Sequence, residues 1–131
     1  MDNNQVSTRE YFDAIYQRPV ILEAKQLTQS FQHGKSTRTI LNAIDLKIHK
    51  REFICVIGPS GCGKSTFSRI VAGLDPYSSG EILVDGEAIK GPSPERGMVF
   101  QGYTLFPWKT VKENVMFGPL MKGQSNPTAE A

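Results

Sequence analysis

The residues best suited to chemistry form one short run, Gly58 to Thr66, which reads GPSGCGKST. It matches G-x-x-x-x-G-K-[ST], a pattern of phosphate-binding loops in which glycines let successive backbone N–H groups surround an anion. The Lys64 ammonium suits the β and γ phosphates of a nucleotide, and the Ser65 hydroxyl is a hard oxygen ligand for Mg²⁺. We therefore predict ATP and Mg²⁺ as ligands. The predicted nucleotide contacts in this phosphate loop are Gly58, Pro59, Ser60, Gly61, Cys62, Gly63, Lys64, Ser65 and Thr66.

The sequence on both sides of the phosphate loop predicts the elements that must position it. Phe53 to Ile57 is almost continuously apolar, as expected of a strand covered on both faces. After Lys64 the apolar residues follow the i, i+3, i+4, i+7 spacing of a helix with one buried face, and Gly73 is a suitable terminator. The alternative, a glycine-rich turn that matches the motif by chance, does not account for this strand–loop–helix context.

Other patterns predict strands before and after this unit. Alternation of apolar and polar residues predicts a strand over Ile21–Phe31 and, after a polar turn, a second strand over 40–48. EILVDGEAI predicts a hairpin about Asp85-Gly86, and MVFQ predicts another short strand. Thr110 and Glu113 form a possible capping box that opens a short helix, TVKENVMF, and the polar residues that follow predict a frayed tail.

The composition narrows the class of protein. The chain has 131 residues, of which 39% are hydrophobic and 21% charged, which is ordinary for a globular domain. Its net charge of +2 is too small to indicate nucleic-acid binding. Cys55 and Cys62 lack metal-ligand spacing, so a reducing cytoplasm is the expected setting. The apolar runs fall far short of the roughly 20 residues that cross a bilayer, and no signal peptide is evident, so we expect neither insertion nor export.

Three segments in order carry a resemblance to a known family. They are GPSGCGKST, then AGLDPYSSGEILVDGEAI, then RGMVFQGYTLFPWKTVKENVMFG, and together they closely resemble the ATP-binding subunit of ABC transporters. LFPW and ENVMFG are most similar to the importer branch for nitrate, sulfonate, taurine and related anions. The resemblance implies an α/β P-loop NTPase fold of ABC type that is incomplete here. It has an antiparallel β subdomain plus the start of the parallel-sheet core, and lacks the later strands and most of the helical subdomain. The predicted organisation is a polar leader (1–20), a partial ATP-binding domain (21–120) and a polar tail (121–131).

The resemblance also implies roles outside the phosphate loop. Phe31 resembles the aromatic residue that stacks on adenine, with a core or strand-end aromatic as the alternative. Gln101 resembles the glutamine that ligates Mg²⁺ beside Ser65 and orients the attacking water; a solvated loop residue is the alternative. LFPW borders the groove that receives a coupling helix of the transmembrane partner, although internal packing of Phe106 and Trp108 explains the same cluster. The family commonly has glycine at the place of Arg51, so we expect a turn there that favours positive φ.

Several parts that ATP hydrolysis requires in this family are not in the sequence. They are the LSGGQ signature, an apolar strand that ends in Asp-Glu, and a switch histidine; LMKGQ at 120–124 follows Gln101 too closely to be the signature. We therefore expect this chain to bind ATP without turnover, as the amino-terminal part of a longer subunit, marginally stable or aggregation-prone when alone. The alternative is a truncated, non-hydrolysing nucleotide-binding module or a decayed gene product.

The resemblance finally implies partners and a location. The complete subunit would dimerise and work with transmembrane permease subunits and a solute-binding protein, without nucleic acid. It would lie in the cytoplasm, peripheral on the inner face of the membrane. The sequence leaves the transported solute open, because solute choice resides in other subunits.

Overall fold

The computed structural model describes residues 7–102 and 104–123. The chain divides into two compact units that meet in sequence at Gly91 and Pro92, and each is described by itself. The elements in chain order are α1 (Thr8–Tyr16), β1 (Val20–His33), β2 (Ser36–His49), α2 (Lys64–Val71), β3 (Ser79–Val84), β4 (Glu87–Ala88) and α3 (Val111–Met121).

A four-stranded antiparallel sheet organises the first unit. The strand order is β2-β1-β3-β4, so β1 lies between β2 and β3 and pairs with both. This confirms both predicted hairpins, although β1 and β2 extend beyond the predicted limits of 21–31 and 40–48. The second hairpin turns at Asp85-Gly86, where both residues have positive φ. The predicted antiparallel β subdomain is therefore present.

Helix α2 closes the core of the first unit. Its Ile70 is fully buried, and Phe67 and Val71 pack against the same cluster, as the predicted apolar spacing requires. Gly73 follows the helix with a φ of +75°, the conformation in which glycine commonly ends a helix, which confirms the predicted terminator. The buried residues of this core are Ala24, Leu27, Leu41, Ile70 and Ile82.

Two predicted strands are wrong within the described residues. The segment Phe53–Ile57 belongs to no ladder, and Phe53 and Ile57 are 90% and 87% exposed. MVFQ is likewise irregular, and its Val99 is 97% exposed. An apolar run becomes a buried parallel strand only when neighbouring strands accept its hydrogen bonds, and the described residues supply none for these two segments.

The polar leader contains a helix that the sequence analysis did not predict. Helix α1 begins with a complete capping box, in which the Ser7 hydroxyl accepts from the Glu10 N–H and the Glu10 carboxylate accepts from the Ser7 N–H. Ile15 is 2% exposed, and the Arg18 guanidinium donates to the Lys50 carbonyl at 3.3 Å. The S-x-x-E spacing at 7–10 was the available sequence signal.

Helix α3 dominates the described part of the second unit. The predicted capping box between Thr110 and Glu113 is confirmed in both directions. The predicted end near Phe117 is wrong, because the helix continues through Pro119 to Met121. The residues 124–131 of the predicted tail lie outside the described residues.

The turn before Phe53 confirms the expectation drawn from Arg51. Arg51 has a φ of +62°, a conformation that glycine adopts more readily than arginine. Its carbonyl also accepts from Arg18 at 3.5 Å, so α1 and this turn are linked. The arginine therefore occupies a backbone position that suits the glycine of the resembled pattern.

Candidate nucleotide-binding site

A pocket of about 240 Å³ opens where the phosphate loop meets the sheet of the first unit. Its walls come from the end of β1, from β2, and from the loop that leads into α2. The structure thus brings Phe31 together with much of the predicted loop, although the two are about 30 residues apart in sequence. The residues that line the pocket are Phe31, Ile40, Gly61, Gly63, Lys64, Ser65 and Thr66.

Glycine is required at the base of the loop for two separate reasons. Gly63 is the N-cap of α2 and has a φ of +102°, which side-chain-bearing residues rarely adopt. A Cβ atom at Gly63 would also lie 2.9 Å from both Ile40 Cγ2 and Leu41 Cδ2. Strand β2 therefore packs directly against the loop, and only glycine allows that approach.

The other loop residues divide into those that line the pocket and those that shape the loop. Gly61 lines the pocket with a φ of +76°. Gly58 does not line the pocket, but it shapes the loop: a Cβ at this position would lie 2.8 Å from Cys62 Sγ. Pro59, Ser60 and Cys62 are exposed members of the loop and are not among the lining residues, so their contacts with a nucleotide stay predictions.

The start of α2 presents backbone donors to this pocket. The first intrahelical bond runs from the Phe67 N–H to the Gly63 carbonyl at 2.8 Å. The N–H groups of Lys64, Ser65 and Thr66 precede it and have no acceptor within the helix. Since the positive end of the helix dipole lies at the same place, the pocket favours an anion such as a phosphate.

The Lys64 ammonium lies across the phosphate loop. Its Nζ donates to the carbonyls of Gly58 and Pro59, each at 2.7 Å, and lies 3.7 Å from Cys62 Sγ. These are neutral acceptors, and a phosphate oxygen would offer the same ammonium a stronger, charge-assisted bond. A nucleotide phosphate would therefore replace these carbonyls as the partner of the Lys64 ammonium.

Ser65 is the one predicted Mg²⁺ ligand that lies in the pocket wall. Its exposed hydroxyl is of the hard oxygen type that Mg²⁺ prefers. Within 7–102 and 104–123, no group of three or more His, Cys, Asp or Glu side chains could hold a metal ion. These residues therefore could not hold Mg²⁺ by themselves. They fit the usual arrangement beside a nucleotide, in which one or two protein oxygens bind the ion and phosphate oxygens and water supply the other ligands.

Two apolar side chains also line the pocket. Phe31 is 47% exposed at the end of β1, which excludes a fully buried core position, and Ile40 lines the pocket beside it. An open aromatic face next to an aliphatic side chain suits the flat face of a nucleobase. The sequence analysis missed Ile40, because strand alternation marks it only as an apolar residue and nothing marks its distance from Gly63.

The end of α2 is fixed by an ion pair. Arg69 Nε and Arg69 Nη2 donate to the two carboxylate oxygens of Asp75 at 2.6 and 2.8 Å. The hydrogen bond from Arg69, with its positive charge in addition, lowers the pKa of the Asp75 carboxyl and raises the pKa of the Arg69 guanidinium. The ion pair thus joins α2, whose first turn supplies N–H donors to the pocket, to the turn that follows the helix.

The predicted residues of the second unit lie in irregular segments. Gln101 is exposed, and its roles toward Mg²⁺ and water stay predictions. Phe106 is partly buried and packs on Phe117 at a ring-centroid distance of 4.7 Å and on Trp108 at 5.4 Å. Leu105 and Trp108 are 71% and 76% exposed. Internal packing therefore accounts for Phe106, while the other two present apolar surface to solvent.

Comparison with known proteins decides the family. The family model described as "ABC transporter" matches residues 41–131. The chain belongs to the ABC transporter family. The match begins in β2 and includes the phosphate loop, so the predicted resemblance is confirmed. Membership of this family implies nucleotide binding.

Curated relatives place this ABC chain among ATP-binding proteins. An uncharacterized ABC transporter ATP-binding protein of Methanocaldococcus jannaschii is 48% identical over 104 residues, which are 79% of this chain and 39% of that protein. A nitrate import ATP-binding protein of Synechocystis is 47% identical with the same coverage. An aliphatic sulfonates import ATP-binding protein of Burkholderia cenocepacia is 48% identical over 71% of this chain and 34% of that protein. The chain spans about two fifths of the length of the first two relatives.

Solved structures confirm the fold class of this ABC chain. An ATP-binding cassette described as a dimeric post-hydrolysis state bound to ADP and Pi superposes with a TM-score of 0.73 and 29% identity. The superposition covers 84% of this chain and 51% of that one. A bacterial ABC transporter cassette, also dimeric, gives a TM-score of 0.74 with the same coverage. In the part of the chain that the structure describes, no helix is long and apolar enough to cross a membrane.

Proposed function

We propose that this chain holds ATP with Mg²⁺ as the nucleotide-binding part of the motor subunit of an ABC importer. One observation carries the proposal: Phe31 and Ile40 line the same pocket as the phosphate loop and the first turn of α2. The apolar wall fits a nucleobase, and the polar wall fits phosphates. Both halves of a nucleotide thus have a matching surface in a single pocket.

Each residue of the pocket has a distinct part in binding. The N–H groups of the loop and of the first turn of α2 donate to phosphate oxygens, and the Lys64 ammonium exchanges its carbonyl partners for the β and γ phosphates. The Ser65 hydroxyl would hold Mg²⁺, which would supply positive charge that neutralises the phosphates. Phe31 stacks on the base.

Binding without turnover is the activity that we propose for these 131 residues. Gln101 is the remaining candidate for orienting an attacking water, and the sequence contains neither the LSGGQ signature nor the Asp-Glu strand. Position alone does not stabilise the charge that develops when the γ phosphoryl is transferred. The alternative reading, a non-hydrolysing nucleotide-binding module, shares this prediction and differs only in having no transport partner.

The importer role rests on the names of the relatives. The nitrate and aliphatic sulfonates import proteins match at 47% and 48% identity, which supports a small oxyanion as the transported solute. The solved neighbours are dimers, which supports a dimeric motor. We place this motor in the cytoplasm, on the inner face of the membrane, with permease subunits as partners and a solute-binding protein that delivers the solute. The exposed apolar residues Leu105 and Trp108 support a docking surface for the permease.

Calorimetric titration of the purified chain with ATP and Mg²⁺ tests the proposal. Lys64→Ala removes the ammonium and is expected to weaken ATP binding by at least about tenfold, since hydrogen bonds to charged groups are the strong ones. Lys90→Ala is the matched control, because Lys90 is an exposed lysine of the same unit outside the pocket. Equal affinity for both variants, or no binding by the unaltered chain, would overturn the proposal.

A further inference from the structure

The Asn114 side chain of α3 forms hydrogen bonds with the backbone of the preceding loop, at Phe106 and at Lys109 and Thr110. Asn114 Oδ1 accepts from the Phe106 N–H at 2.8 Å. Its Nδ2 donates to the carbonyls of Phe106 and Lys109, each at 3.2 Å, and of Thr110 at 2.9 Å. A single carboxamide therefore accepts from one backbone N–H and shares its two N–H donors among three backbone carbonyls between 106 and 110.

The loop that Asn114 holds carries the apolar surface of the second unit. A groove of about 220 Å³ runs between this loop and α3, and its walls include Leu105, Phe106, Pro107, Val111, Val115 and Asn114 itself. The Phe106 ring lies over the ring of Phe117, while Leu105 and Trp108 point to solvent. The shape of the groove thus depends on where the backbone of Phe106 sits relative to α3.

Neither helix propensity nor capping explains an asparagine at position 114. It is among the less favourable residues for a helix interior, because its side chain competes for backbone groups. The cap of α3 is already complete without it, since Thr110 and Glu113 satisfy each other's backbone N–H groups. The bonds of Asn114 to the loop are what its carboxamide contributes.

We propose that Asn114 is the positioning residue of this groove, and that it sets the backbone of Phe106–Thr110 against α3. The carboxamide fits where other side chains do not: aspartate keeps the acceptor for the Phe106 N–H but has no donor for the three carbonyls. Alanine loses both. That the groove binds a permease is part of the proposed function, and any role of Asn114 in transport rests on it. The positioning of the loop by Asn114 does not depend on the proposed function.

Amide exchange measured by NMR on the ¹⁵N-labelled chain tests this role residue by residue. Asn114→Ala is expected to speed exchange of the Phe106 amide about 3- to 10-fold, the range of one intramolecular hydrogen bond. Asn114→Asp is expected to keep the Phe106 amide near its original rate, because its carboxylate still accepts. Lys112→Ala, an exposed substitution on the same helix, is the control and should change neither.

A purely structural role in α3 predicts a different pattern. In that case the amides of 115–118, 120 and 121 would lose protection in Asn114→Ala by the same factor as Phe106, and Asn114→Asp would not restore the Phe106 amide. Either result, or an unchanged Phe106 amide in Asn114→Ala, would overturn the proposal. These rates are read without nucleotide, so failure of ATP binding in the unaltered chain would count against the proposed function alone.

Discussion

Gly63 lies so near strand β2 that an added Cβ would be 2.9 Å from both Ile40 Cγ2 and Leu41 Cδ2. The loop motif names this glycine for its freedom of φ, and the structure adds a second constraint from the side chains of Ile40 and Leu41. The same contact places Ile40 in the wall of the pocket. One backbone position therefore couples the geometry of the anion site to the packing of the sheet.

Gly63→Ala is expected to destabilise the chain by about 2–5 kcal/mol, because a strained φ and an overpacked contact add together. Gly34→Ala is the matched control: Gly34 also has positive φ, at +61°, but nothing lies within 4 Å of a Cβ there. Its expected cost is about 1 kcal/mol from the backbone alone. Urea unfolding followed by circular dichroism measures both. Equal losses for the two variants would show that the contact with Ile40 and Leu41 does not constrain the loop.

The sequence predicts those residues of the site whose types are set by a short local motif, and it does not predict those that matter through tertiary contacts. The phosphate loop is recognisable because its residue types are dictated by an anion and fall within nine consecutive positions. Phe31 required the family resemblance, since an aromatic residue at a strand end has no signature of its own. Ile40 was not predictable, because its importance comes from a tertiary contact.

At the scale of elements, helix starts followed from the sequence better than strands did. Thr110 with Glu113 predicted the start of α3, and Ser7 with Glu10 would have predicted α1, because a capping box is complete within four residues. The Phe53–Ile57 strand failed for the opposite reason. Its pattern is typical of a strand buried between neighbouring strands, and the described residues form no strand beside it.

The capping box of α3 makes this helix sensitive to acid. The hydrogen bond from the Thr110 backbone, followed by that from its hydroxyl, lowers the pKa of the Glu113 carboxyl. Because the folded pKa lies below the unfolded one, the contribution of Glu113 is present above the ordinary glutamate pKa, about 4.3, and is lost as the pH falls through the lowered value. The protection factors of the α3 amides, which are exchange rates corrected for their intrinsic pH dependence, should therefore fall below about pH 4.

Glu113→Gln removes the titrating group and should make α3 less sensitive to pH over this range. Glu95→Gln, in a loop of the same unit, is the control and should retain the original profile. A profile for Glu113→Gln that matches the unaltered chain would mean that the capping carboxylate is not the group that acid protonates.

At the scale of the whole molecule, the described structure exposes a run of apolar residues beside the phosphate loop. Phe53 and Ile57 are almost fully exposed, and Ile54 and Val56 are partly so. A continuous apolar surface of this kind normally marks a site of protein association. The chain spans about two fifths of the length of its curated relatives.

The purified chain is expected to self-associate through this surface. Sedimentation velocity should show larger species as the protein concentration rises. The double substitution Phe53→Ser and Ile57→Ser should move the onset to at least about tenfold higher concentration, because burying even one large apolar side chain is worth about 1.5–3 kcal/mol. Tyr11→Ser, in the exposed part of α1, is the control. A chain that remains monomeric at every concentration would contradict this expectation.

The most direct test of the central claim maps ATP onto the chain residue by residue. In ¹H–¹⁵N spectra of the labelled chain, titration with ATP and Mg²⁺ should shift the amides of one pocket. The residues concerned are Phe31, Ile40, Gly61, Gly63, Lys64, Ser65 and Thr66. Lys64→Ala should move the same amides only at far higher ATP concentration. Spectra that do not change, or shifts confined to amides outside this set, would contradict the assignment of the pocket to a nucleotide.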